Sequence, residues 1–175
     1  MACLALLSSA ALAGCTIFTG KVTEYVPAPA AVQKAVDCAA SLDGLPEFAP
    51  NATPSPLAGS VPEGFVPVKA VVCTAGDRGA NGMPSILQEE LSGNFAPLLA
   101  ALSAPSLRGD GGTACPAIGF SIPGLWLVNA AGEAVHIIWP TDACGMPLET
   151  PSVSQAISGL AVEDAHVAAG PGQGK

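Results

Sequence analysis

The sequence predicts an α+β domain: a small antiparallel sheet with two helices, stapled by disulfides and preceded by a Pro/Ala-rich tether. Three observations carry that prediction. Short β-branched runs alternate with Gly- and Pro-containing turns, two stretches carry apolar residues at helical spacing, and three cysteines are scattered through the same region with a fourth, Cys38, before it. Connections between neighbours are short, which favours antiparallel pairing with the helices on one face.

Each element follows from its residues. Val66–Thr74 (VPVKAVVCT) is short and β-branched and reads as a strand. Gly76–Gly82 is a loop, and Ser85–Leu91 fits either a strand or a helical turn. Asn94 is an N-cap residue, Pro97 falls in a first turn, and Leu98, Leu99 and Leu102 share a face, which predicts a helix over 95–103. Pro105 and Gly109-Asp110-Gly111-Gly112 end it. Leu125–Asn129 and Glu133–Trp139 form a hairpin around Asn129–Gly132, with Gly132 free to take positive φ. Asp142–Pro147 closes that region, the Asp142 carboxylate bracing the turn. Thr150 as N-cap and Pro151 in the first turn precede a stripe of Val153, Ala156, Ile157 and Leu160.

The flanks differ from this 61–160 domain. Residues 15–60 read as a tether, with Pro27, Pro29, Pro46, Pro50, Pro54 and Pro56 among Ala, Ser and Gly. A short helix around Ala30–Ser41 would carry Cys38 and pin this segment to the domain. Residues 161–175 end in a Gly-rich run and read as a flexible tail.

Charge narrows the function classes. Six basic against 14 acidic residues give a net charge of −8, so no basic face exists to grip nucleic acid or anionic lipid. Catalytic signatures are also missing: no G-x-S-x-G, Walker A, G-x-G-x-x-G, H-E-x-x-H or C-x-x-C. His136 lies within a hairpin strand and reads as a satisfied or solvent-facing residue, and His166 as a solvated tail residue. Trp126 and Trp139 read as core. Asp77 with Asn81 lacks the further acidic ligand a calcium loop needs. Cysteine and histidine spacings do not fit zinc. No metal or cofactor is expected.

Residues 1–14 (MACLALLSSAALAG) are uncharged and too short to span a bilayer. They have the length of a signal-peptide apolar region, and Leu12-Ala13-Gly14-Cys15 resembles the bacterial lipobox. The resemblance implies a lipid on the Cys15 thiol and a place on the extracytoplasmic side of the cell membrane. Asn51-Ala52-Thr53 has the form of a glycosylation sequon but means little behind a lipobox. With Cys3 in the signal and Cys15 lipidated, Cys38, Cys73, Cys115 and Cys144 remain, an even set in an exported chain. Of the three connectivities, Cys38–Cys73 and Cys115–Cys144 join neighbours along the chain and are favoured. Each such loop would contribute about 3–4 kcal/mol in the chain-entropy picture.

Gly64–Cys73, Gly93–Leu102 and Cys115–Pro147, with CPAI at Cys115–Ile118 and PTDACGMP at Pro140–Pro147, resemble a group of uncharacterised actinobacterial exported proteins. That resemblance implies no activity. In order and spacing the chain is also similar to the Streptomyces subtilisin-inhibitor family. The shared features are a strand ending in Cys, the helical segment opened by Gly93-Asn94-Phe95, the pair Cys115-Pro116, and Cys144 about thirty residues on. This second resemblance implies an antiparallel sheet with two helices and a reactive bond at Ala117–Ile118, preceded by Cys115 and Pro116. Cys38 would have to replace the cysteine that family places shortly after its strand. The expected function is therefore a non-catalytic, lipid-anchored envelope protein that binds or supports an unidentified ligand. The alternative is a serine protease inhibitor whose partner is an extracellular protease.

Overall fold

A computed structural model describes residues 20–42, 57–78, 84–118 and 121–168. The signal region, Cys15, most of the tether prolines, the Asn51 sequon and Asn81 lie outside the described residues.

The fold is α+β and mostly sheet. Its elements are β1 (Val22–Tyr25), α1 (Cys38–Ser41), β2 (Pro67–Arg78), β3 (Pro84–Ser92), α2 (Ala96–Leu102), β4 (Ser106–Gly109), β5 (Gly124–Asn129), β6 (Ala134–Ile137), α3 (Val153–Ser158) and β7 (Ala161–Ala168). A five-stranded sheet runs β6-β5-β2-β3-β7, and β1 pairs with β4 in a separate ribbon. All of these pairings are antiparallel.

The period-2 alternation of strands divides the core into two layers. Ala70 and Val72 of β2, Leu125 and Leu127 of β5, and Val135 and Ile137 of β6 face one way, against Leu98, Ala101 and Leu102 of α2 and Val153 of α3. Val71 and Cys73 of β2, Trp126 of β5 and Ala134 of β6 face the other way, beneath Cys38 and Leu42. Two helices therefore cover one face, as expected, and the four-residue α1 covers the opposite one. Burying a side chain such as Leu98, fully enclosed here, contributes about 1.5–3 kcal/mol.

Helix termini show why the stripes became helices. The N-cap position of α2 is Phe95, without a side-chain cap bond, rather than the expected Asn94, whose Oδ1 accepts from the Ala96 N–H at 3.1 Å from one residue earlier. At α3 the cap is Ser152 rather than Thr150, its Oγ accepting from the Gln155 N–H at 3.2 Å; the helix starts after Pro151 instead of around it. The β5–β6 hairpin turns on Gly132 at φ 81°. There the Asn129 Oδ1 accepts from the N–H groups of Ala131 and Glu133, both at 3.0 Å.

One open reading is resolved and three expectations are corrected. Ser85–Leu91, open between strand and helix, is β3, because it pairs on both sides, with β2 and β7. The tether is no free spacer over its described part, and the helix expected at Ala30–Ser41 shrinks to its last four residues, Cys38–Ser41. Gln33 and Gly59 instead lie against the outer edge of β6, and Ala28, Ala30 and Ala31 bond Leu57 and Ser60 beyond them. The Gln33 N–H donates to the Ala134 carbonyl at 2.8 Å, the Ala134 N–H returns a 2.9 Å bond, and Gly59 bonds His136 and Ile138. An exposed sheet edge is thereby covered. The tail expected from residue 161 is the strand β7 over Ala161–Ala168. Its alternation is broken by a bulge at Glu163, which hides the strand from a period-2 reading.

Candidate functional site

The four paired cysteines close the two expected bridges, Cys38–Cys73 and Cys115–Cys144. They sit in different surroundings. Cys38 and Cys73 are 6% and 0% exposed, within the layer under α1. Cys73 faces Gln88 across the β2–β3 pair, and the Cys38 Sγ lies 3.5 Å from the Gln88 Oε1. Cys38 thus arrives from the N-terminal segment to bridge a strand whose neighbour offers no cysteine. Cys115 is exposed and Cys144 half-buried.

Cys115, Pro116, Ala117 and Ile118 lie together on a segment outside any helix or strand, and every residue from Ala114 to Ile118 is exposed. Ile118 is an exposed apolar residue, 56% accessible.

The structure holds this segment at its N-terminal approach and through its disulfide. On the approach, β4 pairs with β1, from Val22↔Gly109 to Tyr25↔Ser106, and the Arg108 guanidinium lies 4.5 Å from the Tyr25 ring centre. Asp110 then closes a turn: its Oδ2 accepts from the Lys21 N–H and its Oδ1 from the Gly112 N–H, each at 2.9 Å. Those two backbone donors hold the Asp110 carboxyl below the usual carboxylate range. Thr113 N–H bonds the Asp110 carbonyl at 3.0 Å. On the disulfide side, Asp142 braces its turn as the sequence predicts, its Oδ1 accepting from the N–H groups of Cys144 at 2.8 Å and Met146 at 2.9 Å. The two supports are themselves joined: the Leu107 N–H donates to the Thr141 carbonyl at 2.7 Å, and the Thr141 N–H to the buried Ser106 Oγ at 3.2 Å.

Sequence reasoning missed β1, β4 and the role of Asp110. The Asp-Gly-Gly run is an Asx-turn signal that could have pointed to Asp110. The β1–β4 ribbon has no comparable signal, since its strands are four residues each and far apart in the chain.

His136 corrects its expectation. It is 9% exposed rather than solvent-facing, and its Nδ1 is buried with no hydrogen-bond partner among the described residues. Its ring stacks on Trp126, centroids 4.9 Å apart and planes 13° apart. Burial lowers its pKa, opposed by the Asp37 carboxylate. Trp126 and Trp139 are core, at 1% and 4% exposure. His166 lies on β7, its Nδ1 2.8 Å from the Asp164 Oδ2.

Comparison of the chain with protein-family models, with characterised proteins and with solved structures finds no match.

Proposed function

We propose that this is a non-catalytic, lipid-anchored extracytoplasmic protein that acts by binding, and that segment 114–118 is its binding element, offering the Ala117–Ile118 peptide bond to a serine protease. One observation carries the reading: the Cys115–Ile118 segment, whose sequence resembles an inhibitor's reactive loop, is exposed from Ala114 to Ile118 and is tied down through Asp110 and the Cys115–Cys144 bridge. An inhibitor needs a loop that reaches a protease cleft while losing little freedom on docking. Ordering costs about 0.5–1.5 kcal/mol per mobile side chain, and proline and the disulfide remove part of that cost in advance. Small Ala117 suits a protease with a small or apolar specificity pocket. The anchor rests on the lipobox resemblance at Leu12–Cys15. The non-catalytic reading rests on the enclosed, stacked setting of His136.

The experiment is a titration of subtilisin with the purified protein. Stoichiometric block is expected, weakened by Ala117→Gly and by Ile118→Pro. Absence of inhibition across a panel of serine proteases removes the inhibitor reading. Fatty-acid labelling that persists in Cys15→Ser removes the anchor.

A further inference from the structure

The two edges of the five-stranded sheet are treated differently. The β6 edge is covered by Gln33 and Gly59. The β7 edge has β3 on its inner side and, among the described residues, no strand on its outer side. It is eight residues long, every residue from Ala161 to Val167 is exposed, and Val162 and Val167 are 57% and 66% accessible. A long bare edge with protruding valines is a template for another strand.

The register decides which strand. Val162, Ala165 and Val167 lie opposite Leu91, Glu89 and Leu87, while Asp164 and His166 lie opposite Glu90 and Gln88. Directly opposed residues share a face of the sheet. The valines and Ala165 therefore line the face that carries α2 and α3, and Asp164 and His166 line the other. The bulge at Glu163 makes this so. Val162 and Val167 are five residues apart, and in an unbroken strand they would point to opposite faces. Glu163 itself accepts a hydrogen bond from the Ser92 hydroxyl of its own chain.

This pattern is its own complement. An antiparallel partner generated by a two-fold axis normal to the sheet pairs residues of the same face. With the axis at Ala165 and the bulged Glu163 out of the register, Val162 meets the second copy's Val167 and Asp164 meets the second copy's His166, each twice, with the small Ala165 pair at the centre. We propose that β7 is a homodimerisation edge: two copies pair β7 to β7 about Ala165 and extend the sheet to ten strands. Apolar pairs on one face select this partner, and on the other the Asp164–His166 pair that each chain already makes at 2.8 Å meets its own copy in reversed order, which fixes the register.

Cysteine cross-linking in cells expressing the full chain tests the register, read on non-reducing gels after mild oxidation. Ala165→Cys alone should link to itself. Val162→Cys alone and Val167→Cys alone should not, but co-expressed they should link to each other. Equal linking by Val162→Cys alone and by Ala165→Cys overturns the proposal. Sedimentation of the purified full chain should show dimer, and Val162→Lys with Val167→Lys should weaken self-association about tenfold or more. Because both side chains are exposed, the circular dichroism spectrum should not change. A chain that sediments as monomer at every concentration, or a dimer indifferent to both lysines, also overturns it.

Discussion

His136 is enclosed against Trp126 with a bare Nδ1, so the folded protein holds it neutral. In the unfolded chain an imidazole takes up a proton near pH ~6.5. Its folded pKa lies lower, because burial penalises the cation more than Asp37 relieves it. The unfolded state thus binds more protons as pH falls below that value. The stability due to neutral His136 is complete above the unfolded pKa and is lost as pH drops through the folded one. His136→Phe keeps an aromatic ring on Trp126 and removes the titration. Urea unfolding at pH 7.5 and pH 5.5 should show the wild type losing more stability than this variant, by at most about 1.4 kcal/mol per pH unit. Equal losses would show that the imidazole does not carry the effect.

At the level of elements, α1 is too short to be stable alone; helices below about 12 residues are marginal in water. It is kept by the Asp37 cap, whose Oδ1 accepts from the Ala40 N–H at 3.0 Å, and by the Cys38–Cys73 bridge. Cys38→Ala with Cys73→Ala should lower unfolding stability by about 2–4 kcal/mol, read as a shifted denaturant midpoint. A midpoint shift of a few tenths of a kcal/mol would mean that Leu42 and its neighbours hold the segment without the sulfurs. This element also marks what the sequence made legible. A helix bearing Cys38 was readable, yet its length was not. Ala31–Val36 have apolar residues at helical spacing, but their backbone is taken up by β6 and by Leu57, partners too distant in the chain for local periodicity to register. The β5–β6 hairpin and α2 were readable because turn and cap chemistry is local. β7 was not, because its pairing with β3 spans the whole of α2, β5 and α3, and its bulge breaks the alternation. At the candidate loop, a resemblance marked Cys115–Ile118 but left open whether the segment was exposed loop or strand, while the brace at Asp142 was legible from its turn. The Asp110 support depends on Lys21, 89 positions away.

Over the whole molecule, the two bridges serve different ends. Cys38–Cys73 lies inside the layer beneath α1, both residues under 10% exposed, and fixes the N-terminal segment to the sheet. Cys115–Cys144 lies outside it, joining the exposed segment to the turn braced by Asp142. A thiolate must reach a sulfur to exchange with it, so access sets the order of reduction. Limited reductant followed by alkylation should label Cys115 and Cys144 first, leaving Cys38 and Cys73 unmodified until the sheet opens. The singly reduced protein should keep its folded circular dichroism spectrum, since the sheet and both apolar layers do not depend on the outer bridge. Under the proposed inhibitor function, block of subtilisin should weaken, because a released loop pays the ordering cost on docking that the bridge had removed. Peptide mapping that finds Cys38 or Cys73 labelled before Cys115 would show that the inner layer opens more readily than its burial implies. Inhibition unchanged after Cys115 and Cys144 are labelled would show that the Asp110 turn and Pro116 suffice to hold the loop.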